Sequence, residues 1–192
     1  MEGPPPNPDP DAPLVVRVAA GDERAFTELA RRHAGRLRAL ALRFSGHAAE
    51  ADEIVQDALW TVWRTAGQWR PDGPPFAAWL TRVTINRAID ADRRRKVRRF
   101  FGLEAAAETA DSSPSAEDAT AGREELAAVI RDIQSLPARQ RAAILLATQG
   151  EHGTEEIATT MGISVGAAEQ LLVRARRTLR ARLSERMETE GR

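Results

Sequence analysis

The sequence has no cysteine and no tyrosine, three histidines and a single lysine, Lys96. Without cysteine, neither a disulfide framework nor a thiolate zinc site is possible. His33, His47 and His152 stand far apart in the chain, with no partner at ligand spacing and no nucleophile, base and orienting group assembled around them. No metal, cofactor or catalytic site is expected. No N-terminal apolar run resembles a signal peptide or a membrane span, so a soluble cytoplasmic protein is the expectation. β-branched runs are scarce while Ala, Leu, Arg and Glu dominate, which points to an all-α fold.

Charge is abundant and uneven. The 28 basic and 28 acidic side chains cancel formally, yet two Arg-loaded helical segments, 79–99 and 172–186, lie in separate halves of the chain. Between them Glu104, Glu108, Asp111, Glu117, Asp118, Glu124 and Glu125 concentrate negative charge. Distribution matters more than the sum, and two basic surfaces on one string suggest nucleic-acid contact at two places. The bias toward arginine carries no weight by itself, because a GC-rich genome produces it too.

The length fits two small helical domains better than one. Residues 1–13 hold six prolines and few apolar side chains and read as a disordered tail. A first domain spans 14–99. Residues 100–122 have linker composition, including Asp111-Ser112-Ser113-Pro114-Ser115, and read as a flexible acidic tether. Such a tether reaches at most ~70 Å fully extended and spans ~25 Å as a coil. A second domain spans 123–185, and 186–192 read as a tail.

Within the first domain Phe26, Leu29, Ala30, Leu37, Leu40, Ala41 and Phe44 recur at helical spacing up to Gly46. His33 shares that stripe and reads as a packed core histidine. A second helix, about 49–66, turns Ile54, Val55, Ala58, Leu59, Val62 and Trp63 inward and Asp52, Glu53, Gln56 and Asp57 outward. That acidic face is either solvated or a docking surface for a protein. The segment Trp69-Arg70-Pro71-Asp72-Gly73-Pro74-Pro75 is a stiff loop, since its prolines fix φ. After it Phe76, Trp79, Leu80 and Val83 begin a helix whose far face carries Arg82, Asn86, Asp90 and Arg93 and continues into Arg94, Arg95, Lys96, Arg98 and Arg99. Aromatics and an amide beside a dense cationic strip are what single-stranded nucleic acid requires.

The second domain opens with a helix over 124–135, and Leu136-Pro137 starts another that runs to Gly150. Thr154 is positioned to cap a short helix with Ile157, Ala158 and Met161 inward; Gly162 breaks it and Ser164 caps a long one. There Val165, Ala168, Leu172, Ala175, Leu179 and Leu183 form the expected buried stripe. Glu169, Gln170, Val173, Arg174 and Arg177 share the outer face. The pattern is a helix-turn-helix whose second helix is shaped for a major groove.

Glu50-Ala51-Asp52-Glu53-Ile54-Val55-Gln56-Asp57-Ala58-Leu59 through Val62-Trp63-Arg64 resembles the polymerase-docking helix of bacterial sigma factors of the extracytoplasmic function group in the sigma-70 family. Pro75-Phe76-Ala77-Ala78-Trp79-Leu80-Thr81-Arg82-Val83 with Asn86, Asp90 and Arg93 to Arg95 is similar to that group's promoter-melting helix. Leu136-Pro137-Ala138-Arg139-Gln140-Arg141 and Glu155-Glu156-Ile157-Ala158 with Gly162-Ile163-Ser164-Val165-Gly166 resemble its C-terminal domain. The three occur in the family's order from Ala25 to Leu183.

This resemblance implies a non-catalytic subunit that joins core RNA polymerase, directs it to promoter DNA and helps open the duplex. Asp52, Glu53, Gln56 and Asp57 would meet the clamp helices of the largest polymerase subunit. Trp69, Arg70, Asp72 and Phe76, with Trp79, Arg82 and Asn86, would hold a base flipped from the minus-ten element, and Arg93, Arg94, Arg95 and Lys96 would bind backbone at the melting fork. Ser164, Glu169, Gln170, Val173, Arg174, Arg176 and Arg177 would meet the minus-thirty-five element. An anti-sigma factor, in this family often membrane-bound, would cover both domains. The acidic segment would pass near the polymerase active site. One departure stands out: where the family usually has Lys or Arg, Ser and Arg, this chain has Glu169, Gln170 and Leu171, and a carboxylate there can accept from cytosine N4. A dimeric repressor would have no use for the melting helix, and a sigma mimic would usually lack its basic residues.

Overall fold

Asp22 begins the long N-terminal helix by accepting hydrogen bonds from the amides of Arg24 and Ala25 at 2.9 and 3.1 Å. Its partner at the far end is Gly46, whose φ of 82° closes the helix in the left-handed region. Gln134 packs directly over that glycine, where a Cβ would collide with its side chain. The computed structural model describes residues 9–101, 121–148 and 153–190, and among these every regular element is helical, as the composition predicts. The helices are α1 (Ala12–Ala19), α2 (Glu23–Ser45), α3 (Ala48–Thr65), α4 (Phe76–Phe100), α5 (Ala121–Ser135), α6 (Ala138–Ala147), α7 (Thr154–Met161) and α8 (Val165–Glu190). Residues 1–8 of the expected tail and the acidic residues Glu104, Glu108, Asp111, Glu117 and Asp118 lie outside the described residues.

In the N-terminal half, α2 and α3 pack along each other and α4 closes the bundle. Leu29, Leu37, Leu40 and Phe44 meet Ile54, Ala58 and Val62 and then Phe76, Leu80 and Ile85. His33 is packed as expected, with its Nε2 2.7 Å from Asp11 Oδ2. In the C-terminal half α6, α7 and α8 surround Leu145, Ile157, Met161, Ala168, Leu172 and Ala175.

Several boundaries differ from the sequence reading. The tail expected over 1–13 ends early: Asp11 is buried and α1 already begins at Ala12, with Val15 and Val18 in the core. Proline content masked this helix, although Pro13 sits in its first turn, where a missing N–H costs nothing. At the other end α8 continues to Glu190, and Arg186 Nη2 donates to Asp132 Oδ2 at 2.8 Å, so the start of the expected tail is structured. α6 stops at Ala147. Thr154 is the first residue of α7 and Gly153 its N-cap, with no side-chain cap. Ser164 does cap α8, accepting from Ala167 N at 3.3 Å. Val165 and Leu183, placed on the buried stripe, are 42% and 46% exposed, because the core covers only the middle of this helix.

The two halves share one continuous core, and α6 is the junction. Arg141 through Leu146 are buried consecutively, the pattern of a helix covered on all sides, and α6 touches α2, α4, α5, α7 and α8. Arg141 Nη1 donates to the Phe44 carbonyl at 2.8 Å and Nη2 to the Leu136 carbonyl at 3.0 Å. Its guanidinium lies 4.7 Å from the Phe44 ring centroid and 3.4 Å from Asp92 of α4. Burial would push the Asp92 carboxyl up, but Lys96, Arg141 and Arg95 outweigh it and hold the pKa below the ordinary 3.8.

Arg141→Met should therefore cost roughly 2–3 kcal/mol of stability, because it leaves a buried carbonyl and carboxylate short of a partner, and should enlarge the radius of gyration by small-angle scattering. An unchanged radius would refute Arg141 as the junction. The depressed Asp92 pKa contributes stability that is complete above pH 3.8 and is lost as pH falls through the lower folded value. Acid unfolding below pH 3.8 should be blunted in Asp92→Asn, and identical acid profiles would contradict this.

Candidate protein and nucleic-acid interfaces

The acidic face of α3 is exposed and borders a groove. Asp52, Glu53, Gln56 and Asp57 all face solvent, because Ile54, Val55 and Ala58 take the inward positions of the same turns. The groove between α2 and α3, about 840 Å³, is lined by Phe26, Gly35, Arg38, Val55 and Trp60 together with Asp52, Gln56 and Asp57. Arg38 Nε donates to Asp52 Oδ1 at 2.6 Å. Trp60 was missed by the sequence reading and is 58% exposed. The available signal was an aromatic residue one position off the inward stripe, and such exposed anchors are typical of binding surfaces.

The loop leading into α4 is braced from below. Trp69 Nε1 donates to the Pro74 carbonyl at 3.1 Å, and Gly73 N to the Arg70 carbonyl at 3.0 Å. Trp69 and Phe76, expected to hold a base, form the floor of this loop: they are buried, with ring centroids 6.1 Å apart, edge to face. Arg70 and Asp72 are exposed on its lip. Trp79 is half-buried with its ring 5.7 Å from that of Phe76, and Asn86 is exposed further along α4.

The basic strip is less free than its sequence suggests. Arg93 lies 3.3 Å from Asp90, Arg94 3.5 Å from Asp57 of α3, and Arg95 3.1 Å from Glu50 and 3.2 Å from Asp92. Lys96 Nζ is 2.7 Å from Asp92. Arg95 is the most enclosed of these and Lys96 rests on the buried Asp92 carboxylate, whereas Arg93–Asp90 and Arg94–Asp57 are exposed pairs worth about 0–1 kcal/mol each, so they exchange readily for phosphate. Arg82 is turned toward the other half: a Cβ on Gly162 would lie 2.5 Å from its Nη2. Gly162 has φ 64°, so the helix-turn-helix corner both requires glycine and receives this arginine.

On α8, Glu169, Gln170, Val173, Arg174, Arg176 and Arg177 are all exposed, Val173 at 64%. Ala168, Leu172 and Ala175 lie opposite them in the core. Leu171 is only partly buried and packs against the core, so of the three atypical residues Glu169 and Gln170 are the ones presented outward. Among the described residues no ion pair engages Arg174, Arg176 or Arg177, and no acid or histidine cluster could hold a metal. No described helix is long and apolar enough to cross a membrane.

These surfaces coincide with known families. Residues 29–99 match the Sigma-70 region 2 family and residues 126–179 the Sigma-70, region 4 family. The chain is 36% identical over 182 residues to RNA polymerase sigma factor CnrH of Cupriavidus metallidurans, covering 91% of this chain and 95% of that protein. It is 35% identical over 169 residues to ECF RNA polymerase sigma factor SigM of Mycobacterium tuberculosis, covering 88% and 82%. The solved structure of CnrH in complex with the cytosolic domain of CnrY matches with a TM-score of 0.64 at 30% identity, over 91% of this chain and 97% of that one. The sigma factor RpoE in complex with the anti-sigma factor NepR from Bartonella quintana shares the fold, with a TM-score of 0.64 at 24% identity over 83% and 96%. With both regions present in order and relatives matched along nearly their whole length, the chain belongs to the sigma-70 family, in its extracytoplasmic function group.

Proposed function

We propose that this protein binds core RNA polymerase, brings it to a two-part promoter and opens the duplex, with no catalysis of its own. The observation that carries this reading is the order of three surfaces on one chain. An acidic groove with an exposed tryptophan comes first, then a stiff loop running into a cationic helix, then a capped helix presenting polar side chains outward. Asp52, Glu53, Gln56 and Asp57 dock on polymerase, with Trp60 filling an apolar recess beside them. Arg70, Asp72 and Asn86 read the extruded minus-ten base above the Trp69 and Phe76 floor, with Trp79 beside it. Arg93, Arg94, Arg95 and Lys96 follow the backbone. Ser164 orients α8, Glu169, Gln170, Val173 and Arg174 face the minus-thirty-five bases, and Arg176 and Arg177 take phosphates.

The packed halves fit a restrained state. With Arg82 against the Gly162 corner, the melting surface and the helix-turn-helix cannot address separated promoter elements at once, so the halves part when polymerase is bound. An anti-sigma factor holds them together, as the solved relative bound to the cytosolic domain of CnrY supports. That partner acts from the cytoplasm or from its membrane face.

Purified core polymerase plus this protein should start RNA at defined sites in a genomic fragment library. Promoter duplex bound equally well by the free protein, with core making no difference, would favour a conventional repressor instead. Asp57→Arg should abolish core association with helicity intact by circular dichroism, and unaltered association would remove α3 from the docking surface. Arg174→Ala should cost ~1–3 kcal/mol at an upstream site containing guanine if the contact is bidentate. Equal discrimination by mutant and wild type would exclude Arg174 from readout.

A further inference from the structure

The N-terminal segment is tied to the base-reading loop through contacts that sequence periodicity does not reveal. Phe76 supplies the first amide of α4, and its N–H has no partner within the helix. Pro75 before it offers no side-chain cap, and Phe76 itself is fully buried. The acceptor comes from the other end of the domain: Asp9 Oδ2 takes the Phe76 N–H at 2.5 Å. A carboxylate there also meets the positive end of the helix dipole.

Asp9 is itself held in place. Its Oδ1 accepts from Asp11 N at 2.8 Å, and its carbonyl accepts from Ala12 N at 3.0 Å at the start of α1. Asp11 is anchored on α2 by Arg32 Nη1 at 3.0 Å and His33 Nε2 at 2.7 Å. The His33 ring then meets the Phe76 ring edge-on at 5.7 Å. Phe76 is therefore gripped by its amide from Asp9 and by its ring from His33 and Trp69. The loop above it is fixed at Trp69 and stiffened by Pro71, Pro74 and Pro75, and its one glycine, Gly73, is held by the Arg70 carbonyl, so a shift of Phe76 is passed on to the lip.

We propose that Asp9, anchored through Asp11, is a positioning residue that sets the Arg70–Pro75 lip for base recognition. The inference rests on the loop being the minus-ten reader. Selectivity for one extruded base depends on sub-ångström placement of the lip, whereas docking through α3 does not involve this corner.

The test compares wild type, Asp9→Ala and Asp9→Asn, each with core polymerase, on forked DNA probes whose single-stranded minus-ten segment is intact or carries a substituted base. Asp9→Ala should reduce the preference for the intact probe about tenfold, the factor expected from losing one part-buried charge-assisted hydrogen bond. Core affinity should be unchanged. Asp9→Asn, which keeps an acceptor oxygen, should restore most of the preference. Amide exchange at Phe76 should quicken in Asp9→Ala and not in Asp9→Asn. Full discrimination by Asp9→Ala, unchanged Phe76 exchange, or a parallel loss of core affinity and discrimination would each overturn the proposal. A wild-type protein that fails to distinguish the probes would overturn the reading of the loop itself, and it does so before any variant is examined.

Discussion

Arg141 is a charge placed where charge is expensive, and the arrangement of the two halves depends on how it is satisfied. It reaches out of α6 to the last turn of α2, where the Phe44 carbonyl accepts from it, and toward the buried carboxylate of Asp92 on α4. Removing a guanidinium from water costs several kcal/mol, and hydrogen bonds, a carboxylate and an aromatic face offset part of that cost, while Nε stays buried without a partner and burial still pulls the Arg141 pKa below its ordinary value. The contact is directional in a way that apolar packing is not. It specifies one relative placement of the halves, around an otherwise adaptable surface of alanine and leucine.

That placement has a functional consequence, because part of the surface proposed for promoter opening lies at or beside the junction. Asp92, Arg95 and Lys96 form a single ionic cluster at the junction, Arg94 leans on the docking helix through Asp57, and Arg82 reaches the helix-turn-helix corner. The exposed pairs are individually weak and screened by salt. A polyanion or a docking partner can take them over one at a time. The buried Arg141 contacts are not open to such exchange, so they yield only when the halves separate as units. The docking groove and the outer face of α8 lie away from the junction and remain accessible in the packed form.

Much of this was legible in the chain, for identifiable reasons. Apolar spacing set out α2, α3 and the start of α4 because each buries one stripe, and Gly162 with Ser164 marked the helix-turn-helix corner through backbone and capping chemistry that few other residues provide. α1 was hidden because its prolines and aspartates resemble a solvated tail, and only the structure shows Asp9 and Asp11 paired with groups distant in sequence. Nothing in the sequence marks Arg141 as buried, since no local pattern records a partner on another helix. Trp69 and Phe76 belong to the loop by sequence position, but only the structure shows their rings buried beneath the exposed Arg70 and Asp72. Trp60 broke the expected alternation, and its exposure became visible only once Ile54, Ala58 and Val62 had claimed the interior.

The central claim is that the halves pack in the free protein and separate on polymerase. Because the chain has no cysteine, two introduced at exposed positions, Arg64 on α3 and Ser184 on α8, can be labelled selectively for energy transfer. The account predicts high transfer in the free protein and a large drop on adding core RNA polymerase. Transfer that stays high in a transcriptionally active complex would contradict it.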